Sequence, residues 1–71
     1  MGDDLLSGLG NRIRKLRKEH GWTQTVMAEK LGIDRSFLAD VERGKRNISI
    51  LNLDIIAKDL GVSLSRLVSR L

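Results

Sequence analysis

Few residues in this 71-residue chain have the type and spacing for chemistry. His20 is the single histidine and there is no cysteine. A zinc site usually takes four nitrogen or sulfur ligands, so none is expected, and no other metal cluster is visible. No glycine-rich phosphate loop, nucleophile with a placed base or carboxylate cluster occurs, which leaves hydrolase and transferase chemistry without a carrier. The reading is therefore of a non-enzyme with no cofactor and no small-molecule ligand. His20 precedes Gly21 and reads as a partner for a helix C-terminus, where the helix dipole favours a donor or cation. What remains is charge. Thirteen Lys and Arg against nine Asp and Glu leave a net +4, a balance that favours polyanionic partners. Its densest piece is the basic loop Arg43-Gly44-Lys45-Arg46-Asn47-Ile48. Charged residues of both signs make up 31% of the chain, which fits a solvated globular surface better than a disordered basic tail.

These side chains need elements to hold them. There is no proline, and apolar residues recur every three or four positions without strict alternation, so the spacing predicts helices alone. Leu6, Leu9, Ile13, Leu16 and His20 share a face of a first helix over 5–20, stopped by Gly21. Thr23 is placed to cap a second helix over 24–31 that ends at Gly32. Asp34 is placed to cap a third over 35–43 that ends at Gly44. Ser49 then caps a fourth helix running to Leu60, with Ile50, Leu53, Ile56, Ala57 and Leu60 as its core stripe. That stripe leaves Leu51 and Ile55 on a second face. Ser63 caps a fifth helix over 64–71, where Leu64, Leu67, Val68 and Leu71 share a side. The expectation is one all-α domain over 1–71, a compact array of five short helices. Such a chain buries only roughly 60% of its unfolded surface, so a second copy is a natural source of further core. The longest uncharged run, His20 to Ala28, is far below the ~20 apolar residues of a membrane span. The acidic start Met1-Gly2-Asp3-Asp4 is unlike a basic signal peptide, and a reducing cytoplasmic location is expected.

Residues 24–43 carry the specific signal. Two helices joined by a turn of three or four residues cross near 100° when the first offers a small side chain and the turn a glycine. Ala28 and Gly32 meet both demands, while Met27, Leu31, Ile33, Leu38 and Val41 fall where both helices point inward. Together they predict a helix-turn-helix unit. The chain resembles the Cro and lambda-repressor-like helix-turn-helix family from about Leu9 to Leu67. The resemblance is carried by Arg12-Ile13-Arg14-Lys15-Leu16-Arg17, Thr23-Gln24, Ala28-Glu29-Lys30-Leu31-Gly32, Val41-Glu42-Arg43-Gly44 and Ile56-Ala57-Lys58-Asp59-Leu60-Gly61-Val62-Ser63. Ile33-Asp34-Arg35-Ser36-Phe37 with Glu42-Arg43-Gly44-Lys45-Arg46-Asn47-Ile48-Ser49 looks most like the small controller proteins of restriction-modification systems. One departure is Thr25-Val26, where the family usually places acidic residues, so Thr23 lacks a capping-box partner.

The resemblance implies that the third helix lies in the major groove of double-stranded DNA. Arg35 has the fork to read guanine O6 and N7, and a cation at the positive end of a helix calls for some such use. Ser36 donates or accepts, Phe37 meets a thymine methyl group or else packs into the core, and Asp40 accepts from cytosine or faces water. Thr23 and Gln24 would hold a phosphate at the start of the second helix. Arg43, Lys45, Arg46 and Asn47 would reach the backbone or a minor-groove edge. Arg12, Arg14, Lys15 and Lys18 are divided between a plain wet face and long-range steering. The family also implies a partly buried structural ion pair between Arg17 and Glu42.

A transcription regulator acting as a homodimer on a roughly palindromic operator follows, with Leu51, Ile55, Leu64, Leu67 and Val68 as interface candidates on the last two helices. Some of these must instead fill the monomer core. A different-class alternative is an antitoxin or other protein-interaction module with secondary DNA binding. RNA binding is disfavoured because Trp22 and Phe37 are the only aromatics available to stack bases.

Overall fold

A computed structural model describes the backbone of residues 2–71 and the side chains from Leu5 onward. The acidic Asp3 and Asp4 side chains, and Met1 entirely, lie outside the described residues. The chain forms α1 (Gly2–Glu19), α2 (Gln24–Leu31), α3 (Arg35–Glu42), α4 (Ile50–Leu60) and α5 (Leu64–Val68), with no strand among the described residues. No described helix is long and apolar enough to cross a membrane.

Side-chain caps start three of these helices. Thr23 Oγ1 accepts from the Val26 amide at 3.1 Å, Ser49 Oγ from the Asn52 amide at 3.2 Å and Ser63 Oγ from the Arg66 amide at 3.0 Å. Each satisfies an amide that the helix itself leaves unpaired. Asp34 is different from what its type predicts. It makes no side-chain cap bond and contributes only its backbone carbonyl, which accepts from the Leu38 amide at 3.1 Å. Burial of Leu38, Ala39, Val41 and Glu42 anchors α3 instead.

The core joins one apolar stripe from every helix: Leu9 and Ile13 from α1, Met27 from α2, Leu38 and Val41 from α3, Ile56 and Leu60 from α4 and Leu67 from α5. Its arrangement corrects the expected stripe of α4. Ile50 is 68% exposed, because as the first residue of α4 it precedes the stretch that meets the core. The buried stripe is Ile56, Ala57 and Leu60, with Leu53 half-buried.

Two further features depend on contacts between distant segments. A Cβ on Gly10 would lie 2.5 Å from the carbonyl oxygens of both Val41 and Glu42, so α1 crosses the end of α3 at a distance only glycine permits. The fifth helix also ends at Val68, short of the expected 71, and the backbone turns through a positive φ of 56° at Arg70. The Arg12 guanidinium donates to the carbonyl oxygens of Arg66, Leu67 and Ser69 at 2.9, 3.3 and 3.0 Å. Those carbonyls lack helical donors, so Arg12 closes the end of α5 and is neither a plain wet residue nor a free steering charge.

Candidate nucleic-acid interface

The unit that presents α3 is built on the α2–α3 turn. Gly32 has φ 70°, and the Ile33 amide donates back to the Ala28 carbonyl at 3.0 Å. Nothing lies within 4 Å of a Cβ placed on Gly32, so the left-handed backbone, and not crowding, is what calls for glycine here. Below the turn Met27, Ala28, Leu38 and Val41 are buried and Leu31 and Ile33 are half-buried. That packing fixes α2 and α3 against each other and leaves the start of α3 open to solvent.

Arg35 and Ser36 are exposed at that start, and Arg43, Lys45, Arg46 and Asn47 are exposed after its end. The structure thus puts these expected contact residues at the two ends of α3 on an accessible surface. Phe37 is half-buried and lines an apolar groove with Ile33, Ile48, Ile55 and Ile56, while the Arg46 guanidinium sits 4.9 Å from its ring centre. It therefore belongs partly to the packing, with a cation resting on its open face. Asp40 is half-buried and forms an ion pair with Arg43 one turn on, so its carboxylate is engaged rather than left to water.

Arg17 and Glu42 form the pair expected between the first and third helices. Arg17 Nε donates to Glu42 Oε2 at 2.7 Å and Nη2 to Oε1 at 3.0 Å, with the side chains only 8% and 3% exposed. Arg17 Nη1 also donates to the Trp22 carbonyl at 2.8 Å, which ties the α1–α2 connection to the same clamp. Gln24 extends it outward: its Nε2 donates to Glu42 Oε1 at 3.1 Å, and its Oε1 accepts from Arg35 Nη1 at 3.2 Å. The expected phosphate ligand Gln24 is thus engaged on both sides within the protein. No local pattern announces this link, because its members come from α1, α2 and α3.

His20 does serve a helix C-terminus, but that of α4: its Nε2 donates to the Leu60 carbonyl at 2.8 Å. Its ring stacks on Trp22 at 4.2 Å, with Lys30 over the Trp22 ring. Of the interface candidates, Leu51 (74% exposed), Ile55 (53%) and Val68 (38%) are open, while Leu64 is half-buried. Leu67 is fully buried and is corrected to a core residue, since α5 turns that side toward α1 and α4.

The family model described as helix-turn-helix matches residues 13–67. The control protein C.MunI of a Mycoplasma species is 40% identical over 68 residues, which span 94% of this chain and 92% of that protein. The crystal structure of the restriction-modification controller protein C.AhdI from Aeromonas hydrophila superposes with a TM-score of 0.82 at 39% identity, covering 90% of this chain and 96% of that one. The crystal structure of SinR, a master regulator of biofilm formation, in complex with DNA gives 0.77 at 38% identity, covering 83% and 95%.

Proposed function

The chain belongs to the helix-turn-helix family of DNA-binding transcription regulators, and from this we propose that two copies bind a roughly palindromic duplex operator, as a restriction-modification controller. Each copy lays α3 in the major groove. Arg35 reads guanine O6 and N7 through its fork, Ser36 takes an adjacent donor or acceptor, and the Phe37 edge meets a thymine methyl group. Asp40 holds Arg43 toward the phosphates. Thr23, Lys45, Arg46 and Asn47 take the sugar-phosphate backbone or a minor-groove edge, which fixes register without reading sequence.

The observation that carries the dimer is the bare face of α4. Ile50, Leu51 and Ile55 are 68%, 74% and 53% exposed within six positions, an apolar patch that nothing in the monomer covers. Val68 and Leu64 of α5 extend the candidate surface. One copy measures 30 × 23 × 21 Å, and reading helices one DNA turn apart must be ~34 Å from each other, so the second helix has to come from a second copy. Dimerisation and operator binding then make occupancy steep in protein concentration, which supplies control without an effector domain.

The test is enrichment of duplexes from a randomised pool, followed by sedimentation of the chain on the enriched duplex. A two-fold symmetric consensus carrying two chains supports the proposal. Hyperbolic binding of a single chain to an asymmetric site contradicts it.

A further inference from the structure

Building on the base-reading role of Arg35 proposed above, we infer that Gln24 is a positioning residue: it orients the Arg35 guanidinium for its base by relaying the fixed geometry of the buried Arg17–Glu42 pair to the DNA-facing surface. The polarity of the chain of contacts leaves it only one arrangement. An ionised carboxylate only accepts hydrogen bonds, and a guanidinium only donates them. Glu42 therefore requires the amide nitrogen of Gln24, at 3.1 Å, and Arg35 requires its oxygen, at 3.2 Å. Turning the amide over would set oxygen against carboxylate and NH2 against guanidinium, two repulsive contacts in place of two bonds.

The inner end of this relay is rigid. Glu42 is held by two bonds from Arg17, both side chains are buried, and Arg17 is itself fixed to the Trp22 carbonyl. Gln24 is half-buried and Arg35 exposed, so order passes outward along a gradient of burial. A free surface arginine spreads over many rotamers, and ordering it on DNA costs affinity for the right base. Engaging Nη1 with Gln24 leaves the Nε and Nη2 edge open, which is a two-donor fork of the kind guanine accepts. The alternative use of Gln24, as a ligand for phosphate alone, predicts no effect on base choice.

The experiment uses the full chain as wild type, Gln24→Ala, Gln24→Met, Arg35→Ala and the double variant Gln24→Ala/Arg35→Ala. Gln24→Met keeps length and helix preference without the amide, which guards against loss of folding at the start of α2. Affinity is measured for the duplex enriched by the wild type and for each single-base-pair change in it. Both Gln24 variants are expected to lose discrimination by roughly fivefold to tenfold at the base pair that Arg35→Ala relaxes, and nowhere else. Adding Gln24→Ala to Arg35→Ala should change base preference no further. A uniform loss on all duplexes, with a shallower salt slope, makes Gln24 a phosphate contact and overturns the inference. A lowered melting temperature with intact discrimination overturns it too, by leaving Gln24 a purely structural part. If the wild type enriches no sequence, the DNA-reading function fails and takes this role with it.

Discussion

At the scale of single residues, the protein separates its charges by environment. Arg17 is enclosed, bidentate on Glu42, while Arg35 and the Arg43–Arg46 cations stand in solvent. The same residue type therefore serves fold and function without competition. An exposed pair such as Lys58–Asp54, at 3.0 Å, contributes less than ~1 kcal/mol. Removing one partner of the buried pair strands a charge and costs about 3–5 kcal/mol. Arg17→Met and Glu42→Gln should each lower stability on that scale in chemical denaturation, and the double variant should lose much less than their sum. Strict additivity would remove the pair from the stability of the fold. The Arg17–Glu42 contact was legible as a family implication. Its continuation through Gln24 to Arg35 was not, because contacts between side chains on three helices leave no spacing signal.

At the scale of elements, the helices and their starts were largely legible, since caps and left-handed glycines act within a few residues. Thr23, Ser49 and Ser63 cap as their types predict. The helix faces were less so. Gly10 reads as a weak point inside a helix until α3 is seen against it. Gly10→Ala should destabilise the protein by about 1–3 kcal/mol by forcing α1 from α3, despite the better helix propensity of alanine, as a urea midpoint will report. A gain in stability would mean that the helices do not meet there. Arg12 decides where α5 ends. Arg12→Ala should speed amide exchange in α5 by roughly tenfold, equivalent to about 1.4 kcal/mol, while leaving α2 and α3 protected. Unchanged exchange would show that the three carbonyls gain nothing from the guanidinium.

At the scale of the whole molecule, the uncovered α4 face and the exposed ends of α3 set the same requirement, for a second copy and a duplex. Leu51→Asp combined with Ile55→Asp places charge in the patch without touching the core, since both side chains are mostly exposed. The variant should sediment as a monomer at concentrations where the wild type is a dimer, and its melting temperature should not depend on concentration. Its affinity for a single half-site should be kept while tight binding to the full operator is lost. A dimer that survives both aspartates would move the interface elsewhere. Operator affinity should fall with salt at a log-log slope of about −0.9 per phosphate contact, steeper for the dimer than for the monomer.

The sequence by itself determined that the chain is all helix, where four of its five helices run to within a residue or so of their ends, and that α2 and α3 form a helix-turn-helix. Periodicity, caps and turn glycines are local in the chain, and local physics suffices to place them. Only the tertiary structure decided which apolar residues belong inside. It buried Leu67 and exposed Ile50, gave Arg12 to the end of α5, and turned Gln24 inward to Glu42 and outward to Arg35. Each of these depends on which helix faces which across the core, and such pairings join residues that are neighbours in space alone.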